Sequence, residues 1–497
     1  MDISNFIEGF SNSLSLVNLG FGLLGSLLGT LVGVLPGIGP ALAISLLLPI
    51  TYTLEPQSAL IMFCAIYYGA MFGGSTTSIL LNAPGESGSV MTAIEGNKMA
   101  RAGKAGAALA TAAIGSFVAG AIGTGILALA APTIADFGLT MTPPDFFAMM
   151  VLAFITVSSL MGKSITRGLL ALMVGLVIGL VGADPNTGAP RLTFGSAEAL
   201  GGFSTVVVIV SLFAVGEALH IAFSGHLENG TLNKFNGSSR MSRSDWSRSW
   251  RPWLRGTAIG FPTGVLPAGG SELPTFLSYA LEKRLSKKKD EFGKGAIEGV
   301  AGPEAANNAN AAGALVPLLA LGIPTSGTAA VMLAAFGQFR IDAGPMLFAE
   351  QPVLVWTLIA SLFIGNLLLL VINLPLIKIW VQVLRIPAHY LFAGILVFAM
   401  VGAFALKNST FDLLVAIAIG LLGMLLRRFG YPITPLILGA ILGPMAETEF
   451  RRTMQLSQGD ASALLGTPFT WVTYSLMAIA LLWPLMWKLL KPKVIKQ

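Results

Sequence analysis

Cysteine occurs once in 497 residues, as Cys64, so neither an internal disulfide framework nor a thiolate metal cluster can be built. Histidine is nearly as scarce: His220, His226 and His389 have no metal-ligand spacing among them. Asp, Glu, Lys and Arg make up 11% of the chain, against about 25% for a soluble protein, and 54% is apolar. No Lys or Arg precedes Lys98. The beginning therefore lacks the basic segment of a cleaved secretion signal, and the first apolar span is expected to persist in the mature protein. The formal charge of +6 sits in short loops between apolar runs, where it reports membrane orientation and gives no sign of a nucleic-acid role. Gly162-Lys163-Ser164 ends like a phosphate-binding loop, but Val157 stands where its first glycine is required, so no ATP site is visible.

What the chain has in quantity is apolar runs of membrane-spanning length, roughly 17–25 residues, from one end to the other. The expected fold is an all-α polytopic membrane protein with about 11–12 membrane-crossing segments. Four of those segments are interrupted. Gly33-Val-Leu-Pro36-Gly37-Ile-Gly39-Pro40 returns as Gly264-Val-Leu-Pro267-Ala-Gly269-Gly270-Ser271, and Asn82-Ala-Pro84-Gly85-Glu86-Ser87 faces Gly322-Ile-Pro324-Thr325-Ser326. The first pair is 231 residues apart and the second 240. In hydrocarbon an unpaired backbone group costs several kcal/mol, so Pro/Gly-rich backbone survives at membrane depth only around protein or a polar cavity. One pair of interruptions per half of the chain is the signature of a transporter whose substrate lies where two repeats meet.

The halves are 1–223, with a re-entrant hairpin at 17–54 and a broken element at 56–97, and 253–497, with a hairpin at 253–283 and a broken element at 295–337. A basic linker, 224–252, joins them, with a Ser/Arg-rich loop at Ser238 to Arg251. If the C-terminus is cytoplasmic and each hairpin leaves on the side it entered, every basic residue except Arg191, Arg340, Lys407, Arg451 and Arg452 faces the cytoplasm. The N-terminus is then periplasmic. The first hairpin opens outward beside Thr51 to Gln57 and the second inward beside Lys283 to Lys289, which makes the repeat inverted.

The breaks are rich in small residues, hydroxyls, amides and carboxylates. Pro36, Gly37, Gly39, Ser75, Thr76, Thr77, Asn82, Gly85, Gly269, Gly270, Ser271, Asn307, Asn308, Asn310, Thr325 and Ser326 are candidates to bind an anionic substrate, because half-helix N-termini offer free N–H groups and a favourable dipole. Glu86, Ser87, Glu272, Glu304 and Thr328 are candidates for a coupling ion, since hard cations take oxygen ligands and ionisable groups at membrane depth are costly to keep without a role. Close helix packing and capping of half-helices are the competing explanations for the same residues. No organic cofactor or resident metal is expected, only Na⁺ or H⁺ as coupling ion. An ion channel fits re-entrant segments too, and an intramembrane enzyme would need a Ser/His pair that no broken element supplies.

Gly33 to Pro40, Tyr68-Gly69-Ala70-Met71-Phe72-Gly73-Gly74-Ser75-Thr76-Thr77-Ser78 through Glu86, and Pro303-Glu304-Ala-Ala-Asn307-Asn308 through Pro324 resemble the large membrane subunit (TctA family) of the tripartite tricarboxylate transporters. The similarity spans about residues 17–450. It implies a non-enzymatic permease of a bacterial inner membrane, a symporter importing a small carboxylate such as citrate on a Na⁺ or H⁺ gradient. The implied partners are a small four-helix membrane subunit (TctB-like) and a periplasmic substrate-binding protein (TctC-like). Elevator-like motion of the broken elements is a further implication.

Overall fold

The computed structural model describes residues 3–35, 37–160, 164–224, 240–267, 270–384, 386 and 388–490. The chain forms two compact units, Met1–Leu139 with Val206–Leu425, and Thr140–Thr205 with Leu426–Gln497. Each unit draws on both halves of the sequence, so the compact units do not coincide with the halves at 1–223 and 253–497.

In chain order the helices are α1 (Ile3–Ser13), α2 (Leu16–Val34), α3 (Pro40–Thr51), α4 (Pro56–Leu81), α5 (Val90–Met99), α6 (Ala105–Leu139), α7 (Pro143–Leu160) and α8 (Ile165–Gly179). Then come α9 (Thr205–Val210), which continues through a π-type turn into α10 (Gly216–Ser224), α11 (Arg243–Val265), α12 (Glu272–Leu285), α13 (Glu298–Leu321), α14 (Gly327–Gln338) and α15 (Pro345–Glu350). The last are α16 (Pro352–Asn373), α17 (Ile377–Val383), α18 (Ala388–Ala405), α19 (Thr410–Arg428), α20 (Ile433–Leu456) and α21 (Pro468–Leu490). Two residue pairs, Gly182–Ala183 and Pro190–Arg191, form a short antiparallel ladder.

The protein is thus all-α. Among the described residues six helical stretches are long and apolar enough to cross a membrane, within Leu16–Val34, Pro56–Leu81, Ser87–Leu139, Thr205–Phe223, Pro352–Asn373 and Thr410–Arg428. The other helices fall short for local reasons. The breaks cut α3 and α14 to 12 residues each, and α13 carries Glu298, Glu304 and three asparagines.

Both halves build the same pair of packed helices. A side chain at Gly25, Gly29 or Gly33 of α2 would be driven into the backbone carbonyl of Met62, Ile66 or Ala70 on α4. Gly256, Gly260 and Gly264 of α11 stand in the same relation to Gly302, Ala306 and Asn310 of α13. These pairs reproduce both steps seen in the sequence, 231 residues between the glycines and 240 between the carbonyls. Small residues at every fourth position let two backbones touch, which is how membrane helices associate without a hydrophobic driving force between them. The breaks obey the same steps. Asn82 ends α4 in the left-handed region at φ 59° and Gly322 ends α13 there at φ 68°.

The linker differs from expectation. The sequence predicts a linker over 224–252; 225–239 lie outside the described residues, and α11 already begins at Arg243. The Ser/Arg-rich stretch is helical because Ser242 and Asp245 form a reciprocal capping box. Arg248 then pairs with Glu298 and Glu291, both at 2.6 Å, and Trp253 is buried with its Nε1–H on the Thr111 carbonyl.

Within the second compact unit, α7, α8, α20 and α21 pack together, and the α8–α9 connection is pinned by charge. Asp184 accepts N–H groups from Asn186 and Thr187 and pairs with Arg451 at 2.7 Å, while Arg191 pairs with Glu447. The Thr187 N–H, with those of Asn186 and the Arg451 guanidinium behind it, holds the Asp184 carboxyl well below the usual carboxylate range.

Candidate functional site

All four breaks lie in the first compact unit, and contacts join them one to the next. The first touches the second where Gly85 presses on the carbonyl of Gly33, too closely to admit a side chain. The Thr77 hydroxyl donates to the carbonyl of Val34 at the end of α2. The second touches the third where Ser271 Oγ donates to Glu86 Oε2 at 3.4 Å. The third touches the fourth where Thr325 Oγ1 donates to the Gly264 carbonyl at 2.9 Å. Thr77 and Thr325 therefore satisfy carbonyls near the ends of α2 and α11, which a helix of either kind leaves without an internal partner.

Each break is followed by a helix or helical turn, so N-termini gather here. Gly39 and Ser271, the residues before α3 and α12, make no side-chain capping bond, whereas Ser326 caps α14 through the Ala329 N–H. Gly37 turns the chain at φ 77°, and the space beside Gly37, Gly39 and Gly270 is open. Pro36 and Gly269 lie outside the described residues.

At the centre stands Glu86. Asn307 Nδ2 on α13 donates to its Oε1 at 2.8 Å, and Glu86 also caps the short turn Ser87–Ser89. One turn along α13, the fully buried Glu304 accepts from Thr92 Oγ1 of α5 at 2.9 Å and, at 3.4 Å, from Ser116 Oγ of α6 and Asn308 Nδ2. Asn308 Nδ2 in turn donates to Ser116 Oγ at 2.7 Å. Two carboxylates from opposite halves are thus dressed by hydroxyls and amides, and no Lys, Arg or His occurs in the four breaks.

The repeat relates these contacts to a second, less polar set. Stepping 240 residues turns Glu86 into Ser326 and Asn307 into Tyr67, a pair of buried neutral hydroxyls. The same step turns Glu304 into Cys64 and Thr92 into Met332, both buried and apolar in character. The geometry is repeated and the chemistry is not.

The remaining candidates are placed as follows. Ser75 is bonded back to the Phe72 carbonyl of its own helix, and Thr76 is buried in α4. Asn310 is buried between α11 and α13, 3.5 Å from Thr263 Oγ1. Asn82, Ser87 and Glu272 are exposed at the break surfaces, and Thr328 is half-buried in the first turn of α14. Thr92 and Ser116 were missed because a lone hydroxyl in an apolar helix carries no signal of its own. Glu95 was missed too. It is fully buried and accepts N–H groups from Gly293, Gly295 and Ala296 and the Tyr279 hydroxyl, tying α5 to the α12–α13 loop.

A model of the tripartite tricarboxylate transporter TctA family matches residues 19–438. The chain is 47% identical over 480 residues to the uncharacterized 52.8 kDa protein in the TAR-I ttuC' 3' region of Agrobacterium vitis, covering 96% of this chain and 95% of that one. It is 48% identical over 218 residues to the uncharacterized protein in the TAR-II ttuC' 3' region of the same organism, covering 44% of this chain and 89% of that one. No solved structure matches.

Proposed function

The chain belongs to the tripartite tricarboxylate transporter TctA family, a family of transporter components and not of enzymes, and from that membership we propose that it is the permease through which a small di- or tricarboxylate crosses a bacterial inner membrane. A tripartite transporter has further subunits. In this reading they are a small four-helix membrane protein of TctB type and a periplasmic TctC-type protein that delivers the substrate. Import is symport, driven by a Na⁺ or H⁺ gradient and achieved by alternating access, with the broken-helix elements as the moving part.

The observation that carries this reading is the meeting of all four breaks in one place, with uncapped N-termini of α3 and α12 beside open space. Backbone N–H groups and helix dipoles there suit an anion without a buried guanidinium. Citrate-like substrates fit the chemistry, and choice among carboxylates rests with the delivering protein. The reading is tested by co-reconstituting the chain with its two partners, identifying what the periplasmic partner binds, and measuring uptake of that carboxylate under imposed gradients. Saturable, gradient-driven uptake is expected. Ungated flux would make the chain a channel, and no uptake of any carboxylate under either gradient would remove the reading.

A further inference from the structure

Both the buried Glu304 and the half-buried Glu86 accept N–H and O–H donors, but beside Glu86 oxygen atoms also converge. At Gly88 an added Cβ would come closer than 3.0 Å to three of them, Ser271 Oγ, Asn307 Oδ1 and Glu86 Oε1. Those oxygens belong to three separate elements: the N-cap of α12, the middle of α13 and the turn before α5. Asn307 is fully buried, and among the described residues its Oδ1 has no hydrogen-bond partner although its Nδ2 does. A buried amide oxygen without a donor costs about 1–3 kcal/mol. Its orientation is fixed by chemistry, because the opposite one would set Oδ1 against the carboxylate. Ser271, by donating its hydrogen to Glu86, keeps its lone pairs for another partner.

We infer that Glu86, Ser271 and Asn307 together bind one hard monovalent cation, Na⁺, beside Gly88. One carboxylate with neutral hydroxyl and amide oxygens balances a single positive charge, where Ca²⁺ sites usually gather several carboxylates. The N-terminal dipole of α12 opposes a cation at Ser271, and Glu272 in the first turn offsets it. The site is single. Its counterpart across the repeat, Ser326 with Tyr67, has no carboxylate and no amide oxygen. Resting on the carboxylate-transport reading, the same cation has a second consequence. The breaks hold no basic side chain, so an empty site presents the negative Glu86 to an incoming anion, while a filled one presents a neutralised pair. Cation binding therefore precedes substrate binding.

The test uses the full chain in lipid nanodiscs without substrate, titrated with NaCl against choline chloride at constant ionic strength, with the thermal unfolding midpoint as readout. The wild-type midpoint is expected to rise hyperbolically with Na⁺. Ser271→Ala and Asn307→Ala are expected to raise the half-saturating Na⁺ concentration at least tenfold, and Gly88→Ala to abolish the response. A wild type that does not distinguish Na⁺ from choline overturns the site, as does an unchanged half-saturation in both Ser271→Ala and Asn307→Ala. Full-rate uptake by the three-subunit assembly on a proton gradient in Na⁺-free medium overturns the cation while leaving carboxylate transport intact. Na⁺ binding that shows the expected variant pattern supports the site even if that assembly takes up no carboxylate, in which case it is the transport reading that fails.

Discussion

Asn307, in the second half of the chain, donates from Nδ2 to Oε1 of Glu86, in the first half, across 2.8 Å. The repeat-related positions, Tyr67 and Ser326, are buried neutral hydroxyls with the halves exchanged. The turn that follows the second break is therefore held by the long helix of the other half, and the unwound backbone there has a partner at membrane depth.

That asymmetry of chemistry on a symmetric frame gives a first prediction. Glu304 and Cys64 occupy equivalent places, yet only Glu304 collects hydroxyl and amide donors. Glu304→Gln is expected to lower uptake about 10–100-fold with normal membrane insertion, the equivalent of a charge-assisted hydrogen bond worth about 1.5–3 kcal/mol. Cys64→Ser is expected to leave uptake within about twofold. Equal losses in the two variants, measured as initial rates in the same vesicles, would remove any special role for Glu304.

The glycine seams carry the second. Gly33 and Gly264 each face a carbonyl of the partner helix with no room for a methyl group. Alanine at either position forces α2 from α4 or α11 from α13, and overpacking of this kind costs about 1–3 kcal/mol. Both variants are expected to unfold at lower temperature than wild type. Gly125→Ala, where the added carbon meets nothing, is the control and is expected to be neutral. Wild-type melting of Gly33→Ala and Gly264→Ala would show that the seams are looser than their geometry.

Much of this was readable before any coordinates. The Pro and Gly clusters located all four breaks, because no other residues interrupt an apolar helix so reliably. The steps of 231 and 240 residues reappear as packing contacts. What the sequence could not convey is which polar residues serve the frame. Thr77, Thr325 and Asn310 look like ligands on composition alone, yet their partners are carbonyls and a hydroxyl of neighbouring helices. Thr92 and Ser116 were hidden for the converse reason, since only the crossing of α5, α6 and α13 brings them to Glu304. The Arg243 helix start was hidden by polarity, and its capping box was the local signal that outweighs it.

Glu95 gives a third prediction, independent of transport. Its carboxylate gathers N–H groups from Gly293, Gly295 and Ala296, and Lys98 donates to the Gly293 carbonyl close by. Glu95→Ala strands those donors, and an unmet buried donor costs about 1–3 kcal/mol. The loop between α12 and α13 is expected to be cut by trypsin at Lys287 to Lys289 at least tenfold faster than in wild type. Unchanged cleavage would mean that the loop is held by other contacts.

Orientation in the bilayer provides the fourth. Thr53 and Lys288 close equivalent hairpins, and both are exposed. The loop at Thr51 to Gln57 has no basic residue, whereas Lys283 to Lys294 contains six, so the positive-inside rule sends the two loops to opposite faces. In a Cys64→Ser background, a cysteine at Thr53 is expected to react with a membrane-impermeant maleimide added from the periplasm, and one at Lys288 only after the cytoplasmic face is opened. The buried Cys64 itself gives little background even if kept. Reaction of both from a single face would make the two glycine-seamed units a parallel repeat. Glu86 and Ser271 would then still meet, but the breaks could no longer be exposed to each side in turn by exchanging the roles of the two halves.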